Sequence, residues 1–317
     1  MKIEIAKTEI IHFIGIGGIG MSGLSLIMRG KGFKIQGSDL TSNKNVERLK
    51  KEKIKIFIGQ KKQNLKNATI VVISSAIKKN NPEIVEAKKK NLPIITRGKM
   101  LAHIVSLMKN IVVVGSHGKT TTTSLITSIF QKTKLDPTII NGGVINSFKS
   151  NAKLGKGEWA ILEADESDGS FLKLPVNYSI VTNIDFEHID FYKNYKNLEN
   201  AFIEFINKTP PIGKSLICID NKNINKILSR IKNKNILTYG FKKESNYRIS
   251  NPRYKTDHSF FDLHYKNYND SRKVIKNINL RLIGEHNILN AAAAVAVCLN
   301  LGVKIDIIER AGWEEPH

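Results

Sequence analysis

The sequence predicts an α/β protein of two units, and three observations carry that expectation. Short, mostly apolar runs ended by turn residues recur along the chain. Two of them, residues 10–14 and 111–114, open into glycine-rich loops followed by helical stretches. Lysine-faced helical stretches alternate with further runs as far as Tyr239. A short apolar run bounded by turn signals reads as a strand buried on both faces, the mark of a parallel sheet covered by helices. At 317 residues the chain has the length for two separate cores.

The first run leads into Gly15-Ile16-Gly17-Gly18-Ile19-Gly20 and then a helix reaching about Arg29. Gly15, Gly17, Gly18 and Gly20 satisfy G-x-G-x-x-G, a tight turn that brings a pyrophosphate close to a helix N-terminus. Nineteen residues after Gly20 stands Asp39, in Gly37-Ser38-Asp39 just past a strand expected over 33–36. A carboxylate there is placed to accept hydrogen bonds from a ribose. Any dinucleotide or nucleoside diphosphate meets the same physics, so the loop alone leaves its ligand open. Residues 54–58, 69–73 and 93–96 read as further strands, and 45–53, 82–90 and 99–108 as helices. Ser74-Ser75 follow a strand directly, at the sheet edge where ligands sit; a ligand contact and an ordinary helix-leading turn fit equally well. Lys109-Asn110 reads as a polar break, giving a Rossmann-like domain over 1–108 and a second domain over 109–317.

In the second domain the run 111–114 enters Gly115-Ser116-His117-Gly118-Lys119-Thr120-Thr121. The two glycines let successive N–H groups face an anion on the helix N-terminus. Lys119 can then reach the outer phosphates of ATP, and the Thr120 hydroxyl its Mg²⁺. The loop is short, with only Ser116 and His117 between its glycines. A strand before and a helix after favour this P-loop ATPase-type reading over a glycine turn with an incidental lysine. A strand over 137–141 ends in Asn141-Gly142-Gly143, a backbone that can pass close to a ligand. The strand 159–162 leads into Glu163, Asp165, Glu166 and Asp168. Four carboxylates at the end of a buried strand are costly without a cation. A divalent metal meets that need better than a solvated acidic loop does in so lysine-rich a chain. The strand 178–181 leads to His188, whose neighbours can fix its tautomer as a metal ligand. Residues 246–283 read as antiparallel hairpins, and an alanine-rich helix follows. Asn287 and Asn290 share one face at its start, where they can read an adenine edge or simply cap the helix.

Composition excludes several classes. The net charge of +22 comes from lysines spread along the chain beside many Asn and Ile. The arginine clusters and interleaved aromatics of nucleic-acid readout are missing, so a solvated lysine surface is expected, with no nucleic-acid partner. Cys218 and Cys298 stand far apart, which leaves neither a disulfide framework nor a zinc pattern and fits a reducing cytoplasm. The N-terminus lacks an apolar signal region, and the apolar stretch 291–299 is too short to span a bilayer. A soluble, cytoplasmic protein without membrane insertion is expected. No oligomeric state follows from these features.

In order and spacing, HFIGIGGIGMSGL, GSD, VVISSAI, GSHGKTTTT, EADESDGSFL, TNIDFEHID and GEHNILNAAAA resemble the motifs of the Mur ligases of peptidoglycan synthesis, over residues 10–308. The resemblance implies a cytoplasmic, ATP-dependent acid–amino-acid ligase of cell-wall biogenesis. Its substrates would be UDP-N-acetylmuramate, ATP and L-alanine, joined through an acyl phosphate. It implies that the first domain binds the UDP moiety, through Gly15, Gly17, Gly18, Gly20, Ser38, Asp39, Ser74 and Ser75, rather than NAD. It implies catalytic roles for Lys119, Glu163 and His188. Lys119 would hold the β- and γ-phosphates, Thr120 and Glu163 one Mg²⁺, and His188 a second Mg²⁺ at the substrate carboxylate. Gly115, Ser116, His117, Gly118, Thr121, Asn287 and Asn290 would complete the ATP site. Family members carry a third, C-terminal domain, and this sequence stops at His317 before one. A C-terminally truncated ligase is therefore expected. A remnant that binds both nucleotides without ligating them, and the related ligase that recycles murein tripeptide, stand as alternatives.

Overall fold

The computed structural model describes residues 5–74, 76–145, 150–266 and 269–311, with backbone alone for 142–145, 150, 151 and 189. Ser75 and the final six residues lie outside the described residues. The chain forms two units, Met1–Leu107 with Ser150–Leu154, and Met108–Lys149 with Gly155–His317.

The first unit runs β1 (Ile10–Ile14), α1 (Ile19–Gly30), β2 (Lys34–Asp39), α2 (Lys44–Lys51), β3 (Lys55–Ile58), β4 (Ile70–Ile73), α3 (Pro82–Lys89), β5 (Ile94–Thr96) and α4 (Arg97–Val105). Its five strands are parallel in the order β3-β2-β1-β4-β5. The chain moves outward from β1 on one side and then restarts with β4 on the other. The glycine loop after β1 therefore sits at the switch point, where open sheets bind ligands. Ile11, Phe13 and Ile14 are fully buried, and so is His12 between them. Side-chain caps start the helices: Asn43 for α2, Asn81 followed by proline for α3, and Thr96 for α4.

Strand β2 is longer than expected, because Gly37-Ser38-Asp39 continue the ladder, with Gly37 beside Phe13 and Ser38 beside Ile14. These residue types have low strand propensity, but the site admits no side chain at the glycine. A Cβ on Gly37 would lie 2.6 Å from the Phe13 carbonyl oxygen.

The second unit runs β6 (Lys109–Val114), α5 (Lys119–Gln131), β7 (Thr138–Ile145), then β9 (Trp159–Glu163), β10 (Tyr178–Val181), α6 (Ile189–Tyr192), α7 (Tyr195–Asn207), β11 (Lys214–Cys218), α8 (Lys222–Ile227), β12 (Ile236–Gly240), β13 (Tyr247–Tyr254), β14 (Ser259–Lys266), β15 (Arg272–Leu280), α9 (Glu285–Asn300) and α10 (Ile305–Glu309). The intervening β8 (Ser150–Lys153) belongs to the first unit, where it packs on α1. The strands of the second unit lie in the order β15-β14-β13-β12-β11-β10-β6-β9-β7. Their pairing is parallel from β13 to β7, and β14 and β15 follow as antiparallel strands. Consequently β9, β6 and β10 lie side by side and deliver their C-terminal ends to one edge.

Two expectations are corrected here. Lys109-Asn110 do not break the chain but begin β6. Asn110 is buried; its backbone N–H donates to Asn177 Oδ1 at 3.0 Å, and its own Oδ1 accepts from the Asn177 backbone N–H at 2.9 Å, which gives the side-chain oxygen a partner inside the sheet. Helix α8 ends at Ile227 and is followed by a 3-10 turn. The region after residue 246 is not made of hairpins alone, since β13 pairs in parallel with β12.

Helix α9 packs on α5, and Ala291, Ala292, Ala293 and Ala294 are all fully buried, so small side chains admit the neighbouring elements on every side. Phe171 packs between Phe202 and Phe205, with ring centroids 5.5 and 5.1 Å away. All three rings are fully buried. Phe171→Ala is expected to lower the unfolding free energy by about 3–5 kcal/mol in urea melts, whereas a loss below about 1 kcal/mol would contradict close packing of this cluster.

Candidate nucleotide and active site

The edge of the second unit's sheet presents a short phosphate loop. Gly115 (φ +141°) and Gly118 (φ +78°) take backbone conformations that side-chain-bearing residues rarely adopt. The end of β10 braces the loop. Thr182 Oγ1 and Asn183 Nδ2 donate to the His117 carbonyl at 2.6 and 3.0 Å, and the His117 N–H donates to Asn183 Oδ1 at 2.8 Å. The Ser116 hydroxyl accepts from the Asp185 N–H at 2.8 Å. With Ser116 and His117 tied down, the first turn of α5, from Lys119, presents N–H groups without acceptors inside the helix.

Lys119 closes the loop on itself. Its ammonium donates to the Gly115 and Ser116 carbonyls at 2.5 and 3.1 Å and to Glu166 Oε1 at 3.1 Å. Glu166 Oε2 lies 3.0 Å away as an ion-pair contact outside hydrogen-bond alignment. Only 1% of the Glu166 side chain is exposed, so this pair is shielded from water. Beside it Thr120 Oγ1 donates to Glu163 Oε2 at 2.8 Å.

His188, held at φ +58°, places Nε2 3.3 Å from Glu166 Oε1 and 3.9 Å from Glu187 Oε2. One atom each from Glu166, Glu187 and His188 fall within 4.8 Å of one another, a spacing a cation can bridge. His117 reaches Asp185 and Glu187 at 3.3 and 3.4 Å, but these groups are well solvated and their attraction is weak.

The acidic loop thus divides its carboxylates. Glu163 and Glu166 face Thr120 and Lys119, whereas Asp165 and Asp168 are exposed and cap turns, accepting the Ser167 and Ser170 N–H groups at 2.9 Å. Of the four carboxylates expected to gather around a cation, Glu166 alone is buried. Partial desolvation of the Asp165 carboxyl, in a residue exposed as a whole, opposes its ionisation. Hydrogen bonds from Ser167 and the charges of Lys119 and His188 outweigh it and hold the carboxyl below its ordinary range. Burial, reinforced by Glu166, Asp168 and Asp165, pushes the Tyr192 hydroxyl well up, and it stays a donor, bonded to the Glu166 carbonyl at 2.5 Å.

Asn183 was not singled out from sequence, and Glu166 was named only as one of four carboxylates, without its pairing to Lys119. The signal for Glu166 was charge balance, because a lysine drawn into a loop needs a carboxylate from the neighbouring strand end. The Asn141 amide is buried with neither its nitrogen nor its oxygen bonded, and it follows Ile140, the partner of Leu162 on β9. Continuing that register, Asn141 stands level with Glu163, and a buried amide of this kind ordinarily has a hydrogen-bond partner. Asn290 lies against the phosphate loop, with Oδ1 2.5 Å from where a Gly118 Cβ would stand. Asn287 instead donates to the Ile283 carbonyl at 3.0 Å. Thr121 lies half-buried in the first turn of α5.

In the first unit Gly15 (φ +77°) turns the chain out of β1, and Gly18 caps α1. The Gly15 and Ile16 N–H groups donate to the Ser38 carbonyl at 2.8 and 3.0 Å. The Gly17 N–H donates to Asp39 Oδ2 at 2.8 Å, and its carbonyl accepts from Asn45 at 2.9 Å. Ser74 borders Gly15. A Cβ on Gly20 would lie 2.6 Å from the guanidinium of Arg97, a residue not singled out from sequence. Ser38 does not present its hydroxyl to a ligand: it is fully buried and donates to Glu83 at 2.6 Å.

The chain matches the Mur ligase family, catalytic domain, over residues 10–109 and the Mur ligase middle domain over residues 113–298. It is 62% identical over 310 residues to a UDP-N-acetylmuramate–L-alanine ligase of Pelagibacter ubique, covering 98% of this chain and 67% of that protein. A ligase of the same name from Brucella anthropi is 44% identical, with 98% and 66% covered. The chain therefore spans about two thirds of the length of these relatives. Among solved structures, UDP-N-acetylmuramate–alanine ligase from Thermotoga maritima superposes with a TM-score of 0.80 at 26% identity, over 97% of this chain and 69% of the other. A murein peptide ligase from Psychrobacter arcticus shares the fold, with a TM-score of 0.84 at 22% identity, over 97% and 68%.

Gly118→Ala adds a Cβ at positive φ, 2.5 Å from Asn290 Oδ1. The strain is worth about 1–2 kcal/mol, so titration calorimetry is expected to show ATP-analogue affinity lowered about tenfold or more, and an unchanged Kd would contradict the loop geometry.

Proposed function

Since the chain belongs to the Mur ligase family, we propose that it joins L-alanine to UDP-N-acetylmuramate at the expense of ATP, in cell-wall biosynthesis. The observation that carries this reading is the Lys119–Glu166 contact beside Thr120–Glu163 at the phosphate loop, in a chain 62% identical to a ligase of that name. We assign the UDP moiety to residues 1–108 and ATP to residues 109–317.

In the reaction the muramyl carboxylate oxygen attacks the γ-phosphorus, the β–γ bridge breaks and ADP leaves. The alanine amine then attacks the carbonyl carbon of the acyl phosphate, loses a proton and displaces phosphate. Such chemistry is mostly positioning and charge neutralisation. Lys119, already aimed along the loop, exchanges Glu166 for the β- and γ-phosphates. The α5 amides take further phosphate charge, and Asn290 lies against the loop's second glycine.

Two donor sets suit a hard cation: Thr120 with Glu163, and Glu166 and Glu187 with His188. They fit the two Mg²⁺ of the family pattern, which when bound supply charge neutralisation for the phosphates and the carboxylate. No described helix is long and apolar enough to cross a membrane. A cytoplasmic location follows from the proposed substrates.

The direct test is phosphate release by the purified chain with Mg-ATP and UDP-N-acetylmuramate, with and without L-alanine. Release that depends on L-alanine, with matching amide product, is expected, and murein tripeptide is not expected to replace the amino acid. Binding of both nucleotides without release would contradict the proposal. Lys119→Ala is expected to cut release by about 10²–10³-fold or more while leaving UDP-sugar affinity within about twofold.

A further inference from the structure

Beneath the glycine loop of the first unit lies a buried polar cluster that the proposed reaction does not use. Glu83, at the start of α3, and His12, inside β1, are both fully out of solvent. Glu83 Oε2 accepts from the Ser38 hydroxyl at 2.6 Å, and Oε1 accepts from Asn64 Nδ2 at 2.7 Å. His12 Nε2 stands 3.5 Å from Glu83 Oε1, and the Gln36 amide bridges His12 Nδ1 and the Asn64 carbonyl at 3.2 and 3.0 Å. A carboxylate in such a place is costly, and apolar side chains of similar volume would fill the space more cheaply. The use of this cluster is shown by what it holds.

Two branches leave Glu83 and both end on the loop. Through Ser38, the first fixes the carbonyl that accepts the Gly15 and Ile16 N–H groups at 2.8 and 3.0 Å. Through Asn64, the second reaches the Gly59 carbonyl at 2.9 Å; the Gly59 N–H bonds the Asp39 carbonyl at 2.7 Å, and the Asp39 carboxylate accepts the Gly17 N–H at 2.8 Å. Three consecutive loop amides, 15 to 17, are thereby oriented from one buried carboxylate. Their bonds are spent on the scaffold, which leaves the first turn of α1 to receive the ligand's diphosphate.

We infer that Glu83 is a positioning residue for the UDP-sugar site: with His12, Ser38 and Asn64 it sets the glycine loop in its binding shape before ligand arrives. Pre-setting the loop removes an ordering cost from binding, so the effect falls on affinity and not on the chemical step. The affinity part of this inference rests on the assignment of UDP-N-acetylmuramate to the first unit; the loop-order part does not.

The test is hydrogen exchange of the unliganded chain, with UDP-N-acetylmuramate and ADP titrations alongside. Glu83→Gln, which keeps shape but cannot accept from both Ser38 and Asn64, is expected to speed exchange of the Gly15, Ile16 and Gly17 amides about tenfold, with phosphate-loop exchange unaltered. Ser38→Ala, a mild change, is expected to loosen Gly15 and Ile16 but spare Gly17, and Asn64→Ala to do the reverse. A general loss of packing would not divide the loop in that way. Both Glu83→Gln and Ser38→Ala are expected to weaken UDP-N-acetylmuramate about tenfold with ADP affinity and kcat unchanged, and their double mutant to fall short of the product of the single effects. Native exchange at residues 15–17 in folded Glu83→Gln and Ser38→Ala would overturn the inference, as would faster exchange with native UDP-sugar affinity. Should even the unaltered chain fail to bind UDP-N-acetylmuramate, the ligand assignment fails, while faster exchange in the variants still supports the positioning.

Discussion

A lysine and a glutamate, both drawn largely out of water, hold the second unit's site together. Either charge left alone there would cost several kcal/mol, so Lys119 and Glu166 depend on each other and on the two loop carbonyls that share the ammonium. The pair can form only because β9 and β6 are neighbours: Glu166 follows the end of one and Lys119 the loop after the other. On the far side of β6, β10 contributes Thr182 and Asn183 to brace the loop and brings His188 to Glu166. Sheet order thus converts three separate stretches of sequence into one cluster of phosphate- and metal-type groups.

The first unit solves a related problem by other means. Its loop amides are not left open but are bonded to the end of β2, and β2 is anchored in turn by a buried carboxylate from α3. In the second unit the loop is anchored by backbone and amide groups from β10, and its lysine rests on a carboxylate. Both arrangements fix a glycine-rich turn from the strand or strands beside it. Glycine supplies the turn's shape, and the neighbours remove the freedom that glycine would otherwise retain.

Much of this was legible in the sequence. Buried parallel strands are mostly apolar runs, so β1, β4, β6 and β10 announced themselves, and glycine-rich loops were legible after β1 and β6. What periodicity cannot report is polar residues inside a sheet. Gly37-Ser38-Asp39 and Lys109-Asn110 read as turns because their types favour turns, yet cross-strand hydrogen bonds and a forbidden Cβ keep them in β2 and β6. The roles of Ser38 and Glu166 were hidden for the same reason. Each is decided by a partner over forty positions away in sequence, Glu83 for one and Lys119 for the other.

The central claim is that the resting contacts of Lys119 and Thr120 are placeholders for nucleotide. The measurement that addresses it most directly is a crystal structure of the chain with Mg²⁺ and a non-hydrolysable ATP analogue. The account predicts that the Lys119 ammonium leaves Glu166 for the β- and γ-phosphates and that Thr120 gives up its direct bond to Glu163. Nucleotide bound elsewhere, with the Lys119–Glu166 and Thr120–Glu163 contacts intact, would contradict it.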